Sequence, residues 1–291
     1  MIQSSTFQTI QADPLQENDR LRIAEFIEST AGIQMPATKK TLIESRLRKR
    51  QRALSFETLR SYISFVFDTP DGEKERLYLL DALTTNKTEF YREAQHFEFL
   101  RAHLQKNSNS QNGEFRVWSA GCSSGEEAFT LGIEMLEFQR EFPRFSFAVN
   151  ATDISASCLQ HAKRAVYHHD KIEPVDMVLR RRYLLRSRSK SDNSVKMAPE
   201  LISVVNFDFF NLITGDWSPH YEQFSVIFCR NVMIYFNQDD RARLTQRFYQ
   251  SLDDGGLLFI GHSETLIDPQ GLFVRLRPTI YMKKSVYGRK D

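Results

Sequence analysis

The segment Phe115–Glu127 constrains the fold more than any other part of the chain, because a buried strand, a glycine turn and a helix start follow one another directly. Its sequence is FRVWSAGCSSGEE, with apolar residues first and with Gly121 and Gly125 in the turn. Glycine lets the backbone approach a ligand closely, and the N–H groups of a first helical turn have no partner within the helix. The segment therefore predicts an α/β sheet with a nucleotide-type site after this strand.

Two carboxylates at the start of the predicted helix, Glu126 and Glu127, restrict the kind of ligand that would bind there. Carboxylates at this position suit the helix dipole, but they repel a phosphate. The turn also has no lysine and does not match the phosphate-binding pattern G-x-x-x-x-G-K-[ST]. We therefore expect a ligand with hydroxyl groups or positive charge. The segment alone leaves open an ordinary glycine turn followed by acidic residues.

The composition predicts a soluble, cytoplasmic protein with a packed core. The chain has 291 residues, which suggests one large or two modest domains, and 41% of them are hydrophobic. A net charge of +2 argues against a general polyanion-binding protein. Cys122, Cys158 and Cys229 are far apart without C-x-x-C spacing, which argues against a disulfide framework or a zinc site. The chain starts with polar residues and has no apolar run near the roughly 18 residues of a spanning helix, so we expect no membrane insertion.

Residues 1–18 are predicted to be a flexible N-terminus, and residues 19–85 a small all-helical domain. Apolar residues recur at helical spacing in four segments of this domain, namely 20–30, 38–54, 56–67 and 73–83. The second segment is strongly basic, and Arg46 and Arg50 lie four residues apart on one face. Such a face would bind a nucleic acid, an anionic lipid or an acidic protein surface, unless it is only a solvated surface.

Residues 86–114 are predicted to be a connecting helix, beginning at Glu89, and a polar linker. Asn86, Thr88 and Arg92 lie where the loop passes into this helix and would project polar groups in one direction. Taken alone, these residues also fit an ordinary helix cap and a surface arginine.

From residue 115 to residue 291 strands alternate with helices, which predicts a mainly parallel sheet. Asp153 ends the second strand, where doubly wound folds hold a ribose-type diol with an acidic residue. Residues 183–205 interrupt the alternation with short β-like runs around a polar, basic tip, which predicts a hairpin-like insertion. Ligand chemistry in such sheets lies at the carboxyl ends of the strands, which here are Gly121, Asp153, Asn211, Arg230–Asn231 and Gly261–His262.

Four segments resemble, in this order, the CheR family of chemotaxis receptor methyltransferases: TTNKTEFYRE, VWSAGCSSGEEAF, FCRNVMIYF and GGLLFIGHSE. The resemblance implies a Rossmann-like S-adenosylmethionine-dependent methyltransferase domain, a small all-helical N-terminal domain and an inserted antiparallel β-subdomain. It also implies that a methyl group is transferred from S-adenosylmethionine, leaving S-adenosylhomocysteine, to glutamate side chains of bacterial methyl-accepting chemoreceptors. This protein-glutamate O-methyltransferase activity would contribute to sensory adaptation.

The resemblance also implies roles for individual residues. Arg92 and Tyr235 would be catalytic residues near the transferred methyl group, and Arg46 and Arg50 would bind the cytoplasmic helical region of a transmembrane chemoreceptor. The β-subdomain would dock a peptide at a receptor's C-terminus, although its tip, RSRSKSDNS, has no glycine where well-known members have a glycine-containing turn. The cofactor would be bound by Asn86, Thr88, Arg92, Glu127, Asp153, Asn211, Leu212, Arg230 and Asn231.

The chemistry of this reaction requires no general base, and we predict no metal site. A glutamate side chain has a pKa of about 4.3, so at neutral pH it is already a nucleophile toward a sulfonium methyl group. The enzyme then has to supply in-line positioning. Arg92 would neutralise and orient the substrate carboxylate, and Tyr235 would orient it or contact the sulfonium, unless Tyr235 is an aromatic core residue. Glu126 or Glu127 would pair with the positive part of the cofactor, and the resemblance favours Glu127.

Two other functions remain as alternatives. A nucleic-acid methyltransferase would use the basic helix for phosphates, but the segment Arg230–Met233 lacks the proline pair of the [DNS]-P-P-[YF] motif that commonly accompanies base methylation. A catalytically inactive cofactor-binding or receptor-docking module is disfavoured because Glu127, Asp153, Arg92 and Tyr235 are all present. The sequence therefore predicts no nucleic-acid partner.

Overall fold

The computed structural model describes residues 13–107, 113–189, 191–218 and 224–285. The chain divides into two compact units, Met1–Thr85 and Asn86–Asp291. Most of the predicted flexible N-terminus, the middle of the predicted polar linker and one residue of the insertion tip lie outside the described residues. Within the described part, no helix has the length and apolar character that crossing a membrane requires.

The first unit is built from helices, which confirms the prediction of a small all-helical domain. Its helices are α1 (Glu17–Ala31), α2 (Lys40–Ala53), α3 (Leu59–Asp68) and α4 (Gly72–Leu83). Gly32 ends α1 with a φ of 70°, and its N–H donates to the Glu28 carbonyl. Helix α3 begins later than predicted because Thr58 and Ser61 form a reciprocal capping box at its start.

Within the residues that the structure describes, the second unit has one seven-stranded sheet and one three-stranded sheet. In chain order its elements are α5 (Gln95–Lys106), β1 (Phe115–Ala120), α6 (Glu126–Glu141), β2 (Phe147–Asp153), α7 (Ala156–Arg164), β3 (Val166–His168), α8 (Met177–Tyr183), β4 (Leu184–Arg186), β5 (Ser194–Met197), α9 (Pro199–Ser203), β6 (Val205–Phe209), β7 (Phe224–Cys229), α10 (Gln238–Ser251), β8 (Leu252–Ile260), β9 (Phe273–Arg277) and β10 (Ile280–Lys283). The large sheet has the strand order β6-β2-β1-β7-β8-β10-β9. This arrangement confirms the predicted α/β fold.

Strand β1 lies where the strand order of the large sheet reverses: β2 and β6 lie on one side of it, and β7 to β10 lie on the other. It pairs in parallel with β2 on one side and with β7 on the other. Strand β10 is antiparallel to both of its neighbours. Because ligands of open parallel sheets bind in the crevice beyond the carboxyl ends of the strands at such a reversal, the turn after β1 is the expected site.

Aromatic side chains fill both faces of this sheet next to β1. Trp118 packs on Phe224 and Phe248 on one face, with ring centroids 5.1 and 5.8 Å away. The register pairs Ser119 with Phe228, which side-chain alternation puts on the other face. There Phe228 stacks on Phe259 at 4.3 Å. Aromatic rings therefore pack on both faces of the sheet at the strand that leads into the glycine turn.

The helix predicted to begin at Glu89 begins later than expected, at Gln95, the first residue of α5. The preceding turn contains two residues with positive φ, Tyr91 at 53° and Glu93 at 55°. A helix does not accommodate such residues. Their side chains bind α6 and the end of β8 instead, and these tertiary contacts override the local helical pattern.

The insertion is larger at its start than residues 183–205 suggest. Its antiparallel sheet has the strand order β3-β5-β4, and the first of these strands lies before the predicted boundary. A strand of three residues gives too short a pattern to recognise. The predicted end of the insertion is also wrong, because Pro199 begins helix α9 and Val205 opens β6 of the large sheet.

Candidate active site

The glycine turn after β1 is fastened to the end of β2. The N–H groups of Gly121 and Cys122 donate to the Thr152 carbonyl at 2.8 and 2.9 Å. Gly121 and Gly125 have φ values of 92° and 95°. A Cβ atom at Gly125 would lie 2.9 Å from the Tyr167 hydroxyl oxygen, and that hydroxyl donates to the Ser124 carbonyl at 2.6 Å. The turn thus depends on glycine for its conformation and on β3 for its support.

Asp153 is held at the rim of this turn by main-chain donors. Its Oδ2 accepts the Ser123 N–H at 2.7 Å, and its Oδ1 accepts the Ser155 N–H at 2.8 Å. The residue is only 8% exposed. These main-chain donors hold the carboxylate in a defined orientation beside the turn. The geometry places an oriented carboxylate where the sequence predicts one.

Glu127 forms a buried ion pair with Arg230. Its Oε1 accepts the Ser119 hydroxyl at 2.6 Å, and its Oε2 accepts Arg230 Nε at 2.8 Å. The nearby Glu126 has a different partner, because its Oε2 accepts the Ser124 hydroxyl at 2.6 Å. The sequence predicts a ligand cation for Glu127, and the structure supplies a protein cation at the same carboxylate.

Arg230 joins the end of β7 to the turn that precedes α5. Its side chain is 1% exposed, and its Nη1 donates to the main-chain carbonyl of Arg92 at 2.6 Å. The guanidinium carbon also lies 5.1 Å from the ring centroid of Phe97 and 5.4 Å from that of Phe228. A buried charge needs such compensation, because the loss of water around it costs several kcal/mol.

His96 lies beside Arg230 and is neutral. Burial, followed by the charges of Arg230 and His262, lowers the pKa of His96 to about 3. Arg230 Nη1 lies 3.3 Å from His96 Nδ1, which therefore accepts, and Nε2 lies 2.8 Å from Thr279 Oγ1. Because Thr279 Oγ1 donates to the Pro278 carbonyl, Nε2 carries the proton. Sequence reasoning missed His96, since a single histidine in a helix gives no signal of burial.

Glu93, His96 and His262 carry donor atoms of metal-ligand type within 4.8 Å of one another. Arg230 Nη1 lies 3.5 Å from Glu93 Oε2 and 3.3 Å from His96 Nδ1. The guanidinium thus stands where a cation bound by these two donors would lie, and it would repel a metal ion.

The segment before α5 lies against the turns that follow β1 and β2. The Asn86 carbonyl accepts the Ser123 hydroxyl at 3.1 Å, and its side-chain amide donates to Ser155 Oγ at 3.4 Å. Thr88 and Arg92 are both half-buried, and Arg92 Nη1 donates to the Lys87 carbonyl at 2.9 Å. The structure therefore brings Asn86 to the same turn as Asp153.

Asn211 and Leu212 shape the end of β6. Asn211 Oδ1 accepts the N–H groups of Ile213 and Thr214 at 2.9 and 3.2 Å. The Leu212 side chain is buried, and its carbonyl accepts Arg247 Nη1 at 3.0 Å. Both residues thus have a structural part in this loop, in addition to the cofactor contact expected from the sequence.

Glu264 organises the loop that carries Asn231 and Tyr235. Its carboxylate accepts the N–H groups of Asn231, Ile234 and Gly261 at 2.9, 3.2 and 2.5 Å. Burial raises the pKa of Glu264, and these main-chain donors oppose the rise. Asn231 has a φ of 61°, and its buried Oδ1 has no hydrogen-bond partner among the described residues. Tyr235 is half-buried in a 3₁₀ turn.

Arg46 and Arg50 lie in the first unit and bind other helices of that unit. Arg46 Nη1 donates to the carbonyls of Leu83 and Thr84 at 2.8 and 2.6 Å, at the C-terminal end of α4. Arg50 forms a two-point contact with Glu75 at 2.9 and 2.7 Å. Both arginines are half-buried. Their predicted contact with a receptor stays a prediction, and the structure adds an internal role for each.

Comparison with known proteins gives matches over nearly the whole chain. Residues 86–282 match the family described as CheR methyltransferase, SAM binding domain, and residues 18–84 match CheR methyltransferase, all-alpha domain. A chemotaxis protein methyltransferase of Borreliella burgdorferi is 36% identical over 90% of this chain and 93% of its own length. Proteins of the same description from Klebsiella aerogenes and Escherichia coli are 34% and 32% identical, over 98% and 89% of this chain and 94% and 88% of theirs.

Proposed function

The chain belongs to the CheR methyltransferase family, and from this membership we infer that it methylates glutamate side chains of chemoreceptors with S-adenosylmethionine as cofactor. The observation that carries the site assignment is the acidic glycine turn. Glu127 and Asp153 flank a turn without a phosphate-binding lysine, at the sheet position where parallel folds bind nucleotides. A ligand with hydroxyl groups and positive charge suits this chemistry.

The residues present fit S-adenosylmethionine, which carries ribose hydroxyls, a sulfonium and an ammonium group but no phosphate. We propose that Asp153 binds the ribose hydroxyls. Asn231 Oδ1 is buried without a partner among the described residues, as expected of an acceptor that awaits a ligand donor. Further contacts are proposed for Asn86, Thr88, Arg92, Glu127, Asn211, Leu212 and Arg230.

When bound, S-adenosylmethionine supplies a methyl group attached to a sulfonium. The receptor glutamate is ionised at neutral pH, so the chain has no proton to remove from it. We propose that Arg92 neutralises and orients this carboxylate, and that Tyr235 lies at its other side. The remaining contribution is alignment of the reacting atoms, which is worth several kcal/mol of the barrier.

We propose that the receptor partner is the cytoplasmic helical region of a chemoreceptor, bound by the basic helix α2 in the cytoplasm. Arg46 and Arg50 hold this helix in place and keep part of their surface exposed, while Lys49 and Arg52 on the same helix are exposed. A helix with this charge suits an acidic protein surface. The proposed second contact, a receptor C-terminal peptide, would add to an edge strand of the β3-β5-β4 sheet.

The test is to incubate the purified chain with radiolabelled S-adenosylmethionine, receptor-containing membranes and, in parallel, nucleic acid. Base-labile label on receptor glutamates is the expected result. Label in nucleic acid, or cofactor binding without any transfer, would contradict the proposal. A titration with a receptor C-terminal peptide, in the presence and absence of the membranes, tests the second contact separately.

A further inference from the structure

Arg92 lies between two residues whose backbone is left-handed. Tyr91 has a φ of 53° and Glu93 a φ of 55°. For residues other than glycine this conformation costs free energy, and it persists only where the surroundings enforce it. Tyr91 and Glu93, one on each side of Arg92, must therefore each be held by contacts with the rest of the protein.

Tyr91 is held by helix α6. Its N–H donates to Thr130 Oγ1 at 3.3 Å, and its hydroxyl donates to Glu134 Oε1 at 3.0 Å. Glu134 is buried and also accepts Arg101 Nη1 at 2.6 Å. The Tyr91 ring packs edge-on against Phe97 at 5.5 Å. These contacts fix the chain on the N-terminal side of Arg92.

Glu93 is held by the ends of β7 and β8. Its Oε1 accepts the N–H of His262 at 3.1 Å, and its Oε2 lies 3.5 Å from Arg230 Nη1. The side chain is 11% exposed. The same Arg230 nitrogen donates to the Arg92 carbonyl at 2.6 Å. The peptide bond between Arg92 and Glu93 is thus fixed from the C-terminal side.

The Arg92 guanidinium is much less constrained than its backbone. Among the described residues its one hydrogen bond is to the Lys87 carbonyl, at 2.9 Å, and the side chain is half-buried. We propose that Tyr91 and Glu93 are positioning residues, which fix the backbone on both sides of Arg92 so that its guanidinium meets the substrate carboxylate in one place. This inference rests on the role of Arg92 in the proposed function.

The test is a pair of double-mutant cycles. Tyr91→Phe and Glu93→Gln are each made alone and together with Arg92→Ala, and Glu89→Gln, an exposed glutamate in the same segment, is the matched control. The readouts are kcat for receptor methylation at saturating cofactor and the Kd of S-adenosylhomocysteine. Because displacement by about 1 Å is enough to slow an aligned reaction by as much as 100-fold, we expect each single variant to lose about tenfold or more in kcat.

The Kd of S-adenosylhomocysteine should rise in each single variant by no more than it rises in Arg92→Ala, because Arg92 is the proposed cofactor contact that Tyr91 and Glu93 position. In the Arg92→Ala background, Tyr91→Phe or Glu93→Gln should cost less than about threefold more, because the group they position is gone. Glu89→Gln should match the wild type throughout. Glu93→Gly accepts the left-handed backbone without its carboxylate and should be as slow as Glu93→Gln.

Four results would overturn the inference. If the losses in kcat add fully in the double variants, Tyr91 and Glu93 act on something other than Arg92. Full activity of Glu93→Gly would mean that backbone conformation alone suffices. Slow transfer by Arg92→Ala, with normal kcat in Tyr91→Phe and Glu93→Gln, would leave the proposed function intact but would mean that Tyr91 and Glu93 do not position Arg92. Normal transfer by Arg92→Ala would instead remove Arg92 from the proposed mechanism, and Tyr91 and Glu93 would then have no positioning role in it.

Discussion

Arg230 Nε and Glu127 Oε2 lie 2.8 Å apart in a buried ion pair that links the end of β7 to the first turn of α6. The guanidinium also holds the Arg92 carbonyl, so one side chain connects three segments of the proposed site. The pair explains why a carboxylate can be buried at this turn. Its loss should therefore affect both the stability of the second unit and its ligand affinity.

Arg230→Met should lower the free energy of unfolding of the second unit by about 3–5 kcal/mol, because Glu127 would remain buried without its cation. Arg275→Met on the exposed strand β9 is the matched control and should change it by less than about 0.5 kcal/mol. Both tryptophans, Trp118 and Trp217, lie in the second unit, so urea unfolding followed by their fluorescence measures this unit. Equal stability of the two variants would contradict the prediction.

Asp153→Ala should weaken binding of S-adenosylhomocysteine by about 1.5–3 kcal/mol, or roughly 10- to 150-fold in Kd, because charge-assisted bonds to the ribose are lost. Asp153→Asn keeps one acceptor oxygen and should lose less. Asp208→Ala, on the exposed part of the neighbouring strand β6, should bind as the wild type does. Calorimetric titration gives the three affinities, and an unchanged Kd for Asp153→Ala would remove this residue from the cofactor site.

The stability of the second unit should fall as the pH is lowered below the ordinary histidine range. His96 is neutral when folded, with a pKa of about 3, whereas the unfolded chain protonates it near the ordinary value of 6.5. Between these values the unfolded state binds the extra proton, so the contribution of His96 falls by about 2 kcal/mol from pH 7 to pH 5. His96→Asn should lack this component. If both proteins showed the same pH dependence of unfolding, the assignment would be wrong.

Arg46 and Arg50 require a substitution that separates charge from internal packing. Replacing the two arginines with lysine keeps the positive charge but loses the two-point contact with Glu75. Replacing them with glutamine loses the charge as well as that contact. If the basic face attracts a receptor, the glutamine pair should weaken receptor methylation and its salt sensitivity more than the lysine pair does. Cofactor affinity should be the same in both. Helicity measured by circular dichroism verifies that the first unit is folded, and equal methylation at low salt would leave α2 without a receptor role.

The elements with long, regular patterns were predictable from the sequence. Phe115–Ala120 and the helix from Glu126 follow from apolar residues, two glycines and an acidic first turn, and the structure has them with the same starts. The turn at Phe90–Ala94 was not predictable, because Tyr91 and Glu93 take their conformation from distant partners. Strand β3 was missed because three residues carry no period.

The residues of the candidate site also divide into those that the sequence predicts and those that it does not. The places of Asp153 at the end of β2 and of Glu127 in the first turn of α6 were predictable from the sequence, and their contacts with the cofactor stay predictions. His96 and Glu264 were not predictable, because their importance lies in burial beside Arg230 and beneath the Asn231 loop. Such residues lack a motif of their own. A buried polar residue is recognisable only when the groups that surround it are known.

The hydroxyl of Tyr167 in β3 donates to the Ser124 carbonyl, so the small β3-β5-β4 sheet supports the glycine turn. Grafting this sheet between relatives would for that reason change more than docking. A donor insertion without a tyrosine at this position would leave the Ser124 carbonyl without its donor and would loosen the turn. Exchange of the sheet must therefore keep β3 with its host, and the boundary for a transplant lies after His168.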